Sequence, residues 1–212
     1  MTSIIVGVIT VDDVVDVIDE EHEDDLMRLG GLSADDLYSS VIDTTRARFS
    51  WLLLNLGTAI VASGFIALFA DAIDRLVALA VLMPIVASMG GNAGVQTLTV
   101  AVRALAVKEL SPANASRIVR KEAIVGVING ILFAVLAGLA SWLWSGSAGI
   151  GLVMGVAMII TLIIAAIAGI AIPLGLERFR VDPAVASGVF LTAITDVIGF
   201  CAFLGLAALF LL

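Results

Sequence analysis

Residues Gly188 to Phe203 read G-V-F-L-T-A-I-T-D-V-I-G-F-C-A-F, an apolar run carrying one carboxylate, Asp196, the only charge between Pro183 and Leu212. A carboxylate at the centre of a membrane span costs roughly 2.5 to 3.5 kcal/mol on insertion scales, so it is expected to face water, an ion or a partner helix. Gly188, Thr192, Thr195 and Gly199 fall at helical spacings beside Asp196 and offer only small or hydroxyl-bearing groups. That face is suited to line a pore. The competing reading is a buried aspartate held by threonine hydroxyls for helix packing.

Working outward, the rest of the chain has the same character. It has 212 residues, 61% of them hydrophobic and 14% charged, and a mean hydropathy of +1.15. That is far too apolar for an ordinary soluble domain, and it predicts an all-α integral membrane protein seated in a lipid bilayer. The net charge of -8 is unevenly placed, because most of the 19 acidic residues precede Thr44. An acidic extension of this kind repels nucleic acid and attracts divalent cations. The single Cys201 lies in an apolar run and reads as a small packing residue. No basic stretch followed by a short apolar core opens the chain, so the first span is expected to act as its own insertion signal.

Before the membrane part, Ile4 to Thr10 reads as a short strand and Val11 to Ile18 as an amphipathic helix. Two such elements cannot bury a core, so they read as the tail of a domain whose body lies elsewhere. The acidic run Asp19 to Asp25, which includes His22, lacks the glycine turn of a calcium-binding loop and reads as solvated. Ser33 is a candidate cap for a helix from Ala34. From Thr44 to Leu56, T-T-R-A-R-F-S-W-L-L-L-N-L passes from basic to aromatic to apolar, as a chain does on entering a membrane from the cytosol, with Trp51 at the interface.

Five spans follow. Trp51 to Ala70 is uncharged, and Leu76 to Val102 is longer than the roughly 20 residues that one crossing needs. The excess predicts an interruption at Met89 to Gly94, M-G-G-N-A-G, with Pro84 as a kink point. Ala123 to Leu176 is divided in two by Ser145 to Gly151, and a last helix begins at Asp182-Pro183. Arg46 and Arg48, then Arg103 to Lys121, then Arg178 and Arg180 fall on alternate connections, while the opposite ones carry only Arg75 among basic residues. By the positive-inside rule the N-terminus is cytosolic and the C-terminus extracytoplasmic.

Two long motifs carry a resemblance. P-I-V-A-S-M-G-G-N-A-G-V-Q-T-L-T-V-A-V-R-A-L-A, Pro84 to Ala106, resembles the signature of MgtE-type magnesium channels, and D-P-A-V-A-S-G-V-F-L-T-A-I-T-D-V-I-G-F, Asp182 to Phe200, resembles their final pore helix. Gly7 to Ile18 is similar to the end of the paired CBS domains that precede the membrane part, and Thr44 to Leu56 to their plug helix. The resemblance implies three parts: 1–25 as the C-terminal remnant of a CBS domain with an acidic tail, 26–50 as the connecting or plug helix, and 51–212 as the five-helix pore domain. It also implies a homodimer in the plasma (inner) membrane, with the pore between the subunits.

The implied cargo is Mg2+, with Mn2+, Co2+ and Ni2+ left open, held at a site to which each copy contributes Asp196 and a backbone oxygen at Thr192. Gly188 stands where relatives can carry a polar side chain. Thr195, Gly199, Gly90, Gly91, Asn92 and Gly94 belong to the implied pore-side framework. Asp12, Asp13, Asp16, Glu20 and Glu122 are candidate regulatory Mg2+ ligands, although Glu122 can instead extend to water. Mg2+ suits such a site because it gives up water reluctantly and takes octahedral oxygen ligands, whereas two facing carboxylates without a cation would repel.

The alternative is a proton- or sodium-coupled divalent-cation secondary transporter in which Asp196 alternates between charged and protonated forms. Enzyme chemistry has no support. No second acid pairs with Asp196 for an intramembrane aspartyl protease, and no Gly-x-Ser-x-Gly elbow occurs.

Overall fold

The computed structural model describes residues 39–111, 113–180 and 182–212, apart from the side chains of 184–186, together with isolated positions between 10 and 32. Of the early elements, Val11, Asp12, Val14, Asp16 and Val17 are helical, whereas the strand expected up to Thr10 and the helix expected from Ala34 lie outside the described residues. Six helices follow: α1 Val41–Ala67, α2 Ala70–Arg75, α3 Ala78–Ala106, α4 Ala115–Ser145, α5 Ala148–Arg178 and α6 Pro183–Phe210. All but α2 are long and apolar enough to cross a membrane, which gives the five spans expected.

The first helix starts earlier than its apolar run. Ser40 caps it, accepting from the Asp43 N–H at 3.3 Å while its own hydroxyl donates to Asp43 Oδ2 at 2.7 Å. From there α1 continues without a break through the basic stretch and the first span, 27 residues in all. At 1.5 Å per residue it is about 40 Å long, more than the hydrocarbon thickness, so it is long enough to cross the apolar layer and carry Arg46 and Arg48 beyond it. The connection from α4 to α5 is a tight turn. Gly146 adopts a left-handed φ of 70° and donates to the Trp142 carbonyl at 2.8 Å, and Ser147 opens α5 by accepting from Ile150 N–H. Asp182 stands immediately before Pro183 at the start of α6, as its sequence implies.

The middle of the fold is α5, which packs against α4, α6 and α3, while α1 packs chiefly on α6. Its sequence explains this position: it is apolar all round rather than along one stripe, the pattern of a helix enclosed by others. Met154, Met158 and Leu162 of α5 meet Leu79 and Val86 of α3 and Phe203 and Leu204 of α6 in the main core. The two ends of the bundle are distinguished by their connections. Leu110, between α3 and α4, packs on Ile170 and Leu174 near the end of α5. At the opposite end Phe69, Ile73 and Leu76 pack with Ile150, Ala207 and Leu211.

One expectation is corrected. The second span is not interrupted at Met89 to Gly94: α3 is a continuous 29-residue helix that also passes through Pro84. The glycines there serve close approach instead of a break. A Cβ added at Gly90 would lie 2.6 Å from Thr161 Cγ2 of α5, and one at Gly94 would lie 2.9 Å from Leu191 Cδ1 of α6. Without a hydrophobic force between helices in lipid, such intimate packing is what holds spans together.

The contact between α4 and α5 is of the same kind, with a Cβ at Gly138 falling 2.8 Å from the Gly151 carbonyl oxygen. Gly138→Ala is therefore expected to destabilise the bundle by about 1–3 kcal/mol, since backbone cannot move aside. Gly57→Ala, where nothing lies within 4 Å, is expected to be neutral or stabilising. Thermal unfolding of the two variants in one detergent checks the order.

Candidate functional site

Asp196 lies at the midpoint of α6 and is half-buried. Among the described residues its carboxylate makes no hydrogen bond and no ion pair. The four residues expected beside it do not share one open surface. Thr192 is exposed and Gly188 half-buried, whereas Thr195 and Gly199 are buried inside the bundle. Thr195 is 1% exposed, its Cβ 3.5 Å from where a Gly90 Cβ would stand, and a Cβ at Gly199 would lie 3.2 Å from Val86 Cγ1. Asp196 thus sits on the boundary between the packed side of α6 and its open side.

The threonine hydroxyls are committed to the helix itself. Thr192 Oγ1 donates to the Gly188 carbonyl at 3.0 Å, and Thr195 Oγ1 is shared between the carbonyls of Leu191 at 3.0 Å and Thr192 at 3.1 Å. The backbone oxygen of Thr192 therefore already shares a hydroxyl proton with that of Leu191. On α3, Gly90 and Gly94 are buried against α5 and α6, while Gly91 is half-buried with nothing within 4 Å. Asn92 is exposed and donates weakly to Ser88 Oγ at 3.5 Å. The glycine segment is thus split between packing positions and open ones.

Glu122 belongs to a different place. It lines a crevice of about 180 Å³ between α3, α4 and α5, with Gln96, Thr97 and Asn129 among its walls. Its side chain is 14% exposed, Thr97 Oγ1 donates to it at 3.4 Å, and Lys121 Nζ lies 3.4 Å from its other oxygen. Asp12 and Asp16 are exposed and helical, and Asp13 and Glu20 lie outside the described residues. Among the described residues no three acidic, histidine or cysteine side chains converge to hold a metal ion.

Two participants were not singled out from sequence. Thr161 is buried beside Gly90 and Gly199, and Thr97 bonds Glu122. Thr161 carried a legible signal, being the lone polar side chain in α5 between Ser147 and Glu177. Thr97 carried none, because threonine recurs along α3.

A family model for MgtE, described as a divalent cation transporter, matches residues 83–206, the stretch that holds both the glycine segment and Asp196. The chain belongs to the MgtE family. It is 32% identical over 210 residues to the magnesium transporter MgtE of Bacillus subtilis (strain 168), covering 99% of this chain and 47% of that protein. It is 33% identical over 210 residues to that of Thermus thermophilus and 30% over 207 to that of Enterococcus faecalis, covering 98% of this chain and 46% of the relative in each case. The chain thus spans about half the length of the curated relatives it matches. The MgtE family is one of transporters and not of enzymes, in agreement with the reading of the residues.

The geometry around Glu122 makes one prediction. Glu122→Ala removes a largely buried carboxylate from its Thr97 partner and is expected to cost about 1 kcal/mol. Lys121→Ala removes only an exposed partner and is expected to cost less than about 0.5 kcal/mol. Unfolding midpoints in detergent read the difference.

Proposed function

We propose that the chain forms a Mg2+-conducting pore between two copies, with Asp196 of each subunit as the ion site. The observation that carries this reading is an unpaired, half-exposed carboxylate at the midpoint of an apolar helix. A charge so placed is too costly to keep without a compensating ion, water or partner. Among the described residues a single subunit brings no acidic cluster to it, and a second copy would supply a second carboxylate. Two carboxylates balance one divalent cation, and Mg2+ keeps several of its waters, so contact through water leaves binding shallow enough for release.

The oxygen at Thr192 would join the site once Thr195 turns its hydroxyl wholly to Leu191, and the open side of α6 at Gly188 and Thr192 would line the path. In this reading the basic connections face the cytosol, which puts the N-terminus inside and the C-terminus outside. The N-terminal acidic residues would sense cytosolic Mg2+, holding α1 toward a closed arrangement when the ion is abundant and releasing it by mutual repulsion when it is scarce.

Asp196→Asn and Asp196→Ala are expected to abolish Mg2+ uptake in a transport-deficient bacterial strain while leaving membrane insertion intact. Undiminished uptake by an inserted variant would overturn the ion site. In planar bilayers, single-channel Mg2+ currents are expected without any proton or sodium gradient, and flux strictly dependent on such a gradient would favour a coupled carrier.

Gating has its own test. A truncation before Ser39 removes the acidic segment but keeps the Ser40 cap of α1, and is expected to weaken the inhibition of flux by cytosolic Mg2+. Equal inhibition before and after truncation would exclude the sensor.

A further inference from the structure

One side chain near the middle of the bundle joins three helices. Thr161 of α5 is 1% exposed, and around it the rest of that helix is aliphatic. A threonine in a helix commonly gives its hydroxyl to the carbonyl a turn before it, as Thr192 and Thr195 do. Thr161 does not: its Oγ1 is buried without a hydrogen-bond partner among the described residues. A buried hydroxyl left unbonded is unfavourable, so packing and not hydrogen bonding sets the rotation of this side chain.

Its surroundings show what that packing achieves. Thr161 Cγ2 lies 2.6 Å from where a Cβ of Gly90 would stand, and both Cγ2 and Oγ1 lie 3.5 Å from where a Cβ of Gly199 would stand. Gly90 is on α3 and Gly199 on α6, so a stiff, β-branched side chain from α5 occupies two glycine notches at once. Thr195 enters the notch at Gly90 from the α6 side. The next residue is Asp196. Each residue of a helix advances by about 100°, so a small rotation of α6 would swing Asp196 either into the packed side of the helix or further onto its open side.

We propose that Thr161 is a positioning residue for Asp196: lodged between Gly90 and Gly199, it fixes the rotation of α6 and thereby the aim of the carboxylate. This inference rests on the reading of Asp196 as the ion site. It concerns shape and not hydrogen bonding, which separates the outcomes of different substitutions. Thr161→Val keeps the shape and removes only an unbonded hydroxyl. Thr161→Ala empties the notch. Gly90→Ala crowds it, and Thr161→Ser in the same chain removes the Cγ2 that collides.

The test uses the full chain in vesicles, reading half-saturating Mg2+, maximal flux per inserted protein, and flux of Mg2+ relative to Ca2+. Thr161→Val is expected to stay within about twofold of the parent. Thr161→Ala is expected to raise half-saturating Mg2+ by about fivefold or more and to lower discrimination against Ca2+, with maximal flux changed less, because a site held loosely loses affinity and selectivity first. Gly90→Ala is expected to act in the same direction, and Thr161→Ser to restore it to within about twofold. Wild-type half-saturation and selectivity in Thr161→Ala would overturn the proposal, as would a Gly90→Ala defect untouched by Thr161→Ser. If Gly90→Ala fails to insert, the contrast between Thr161→Ala and Thr161→Val decides alone. Asp196→Asn runs alongside: loss of flux there with a normal Thr161→Ala sinks only the positioning role, whereas undiminished flux in Asp196→Asn sinks the ion site itself.

Discussion

Apolar side chains gain nothing by leaving lipid for protein, so this bundle depends on how closely its helix backbones can approach. The approaches centre on α5. It meets α4 where Gly138 and Gly151 lie face to face, α3 where Gly90 admits Thr161, and α6 where Gly199 does the same. Because the contacts are at backbone distance, they fix rotation and register as well as separation. A bundle packed through long flexible side chains would tolerate sliding by a residue, and this one does not.

That rigidity bears directly on Asp196. Its neighbour Thr195 is locked inside the bundle while Thr192, nearly one turn earlier, is exposed. The carboxylate stands where the packed side of the helix gives way to the open side, a position that makes it reachable without leaving it free. In the proposed pair of subunits two like charges would face each other in a poorly screened region and repel strongly. A helix bearing one of them would stay in place only if its packed side were anchored, and the notches at Gly90 and Gly199 lie on that packed side.

Much of the architecture was legible in the sequence because lipid imposes simple rules. Long uncharged runs had to be spans, the Ser145 to Gly151 segment had to contain a turn, and Asp182-Pro183 had to open a helix. Two local choices were not legible. Thr44 to Leu56 shows where the chain turns apolar but not where α1 begins, and the reciprocal bond between Ser40 and Asp43 sets that start. The glycines of Met89 to Gly94 were ambiguous in a deeper way. Glycine in a span permits either a break or a close approach, and which one occurs depends on what stands opposite. Here the opposing groups, Thr161 and Leu191, lie far along the chain.

The stripe around Asp196 illustrates the same limit on the scale of one helix. Spacing puts Gly188, Thr192, Thr195, Asp196 and Gly199 on one stripe of the helix, but a stripe has two edges, and sequence does not say which edge is covered. Covering Thr195 and Gly199 turns two apparent pore residues into anchors and leaves Asp196 and Thr192 as the residues facing outward. It also alters what Thr192 can contribute. Its carbonyl is engaged by Thr195 Oγ1 at 3.1 Å while the same hydroxyl reaches Leu191 at 3.0 Å, two acceptors of nearly equal geometry. A shared hydroxyl of this kind costs little to turn from one acceptor to the other. In the proposed arrangement the anchor would therefore border on the ion site, and a small displacement of the packed side would be felt at the first oxygen beyond the carboxylate.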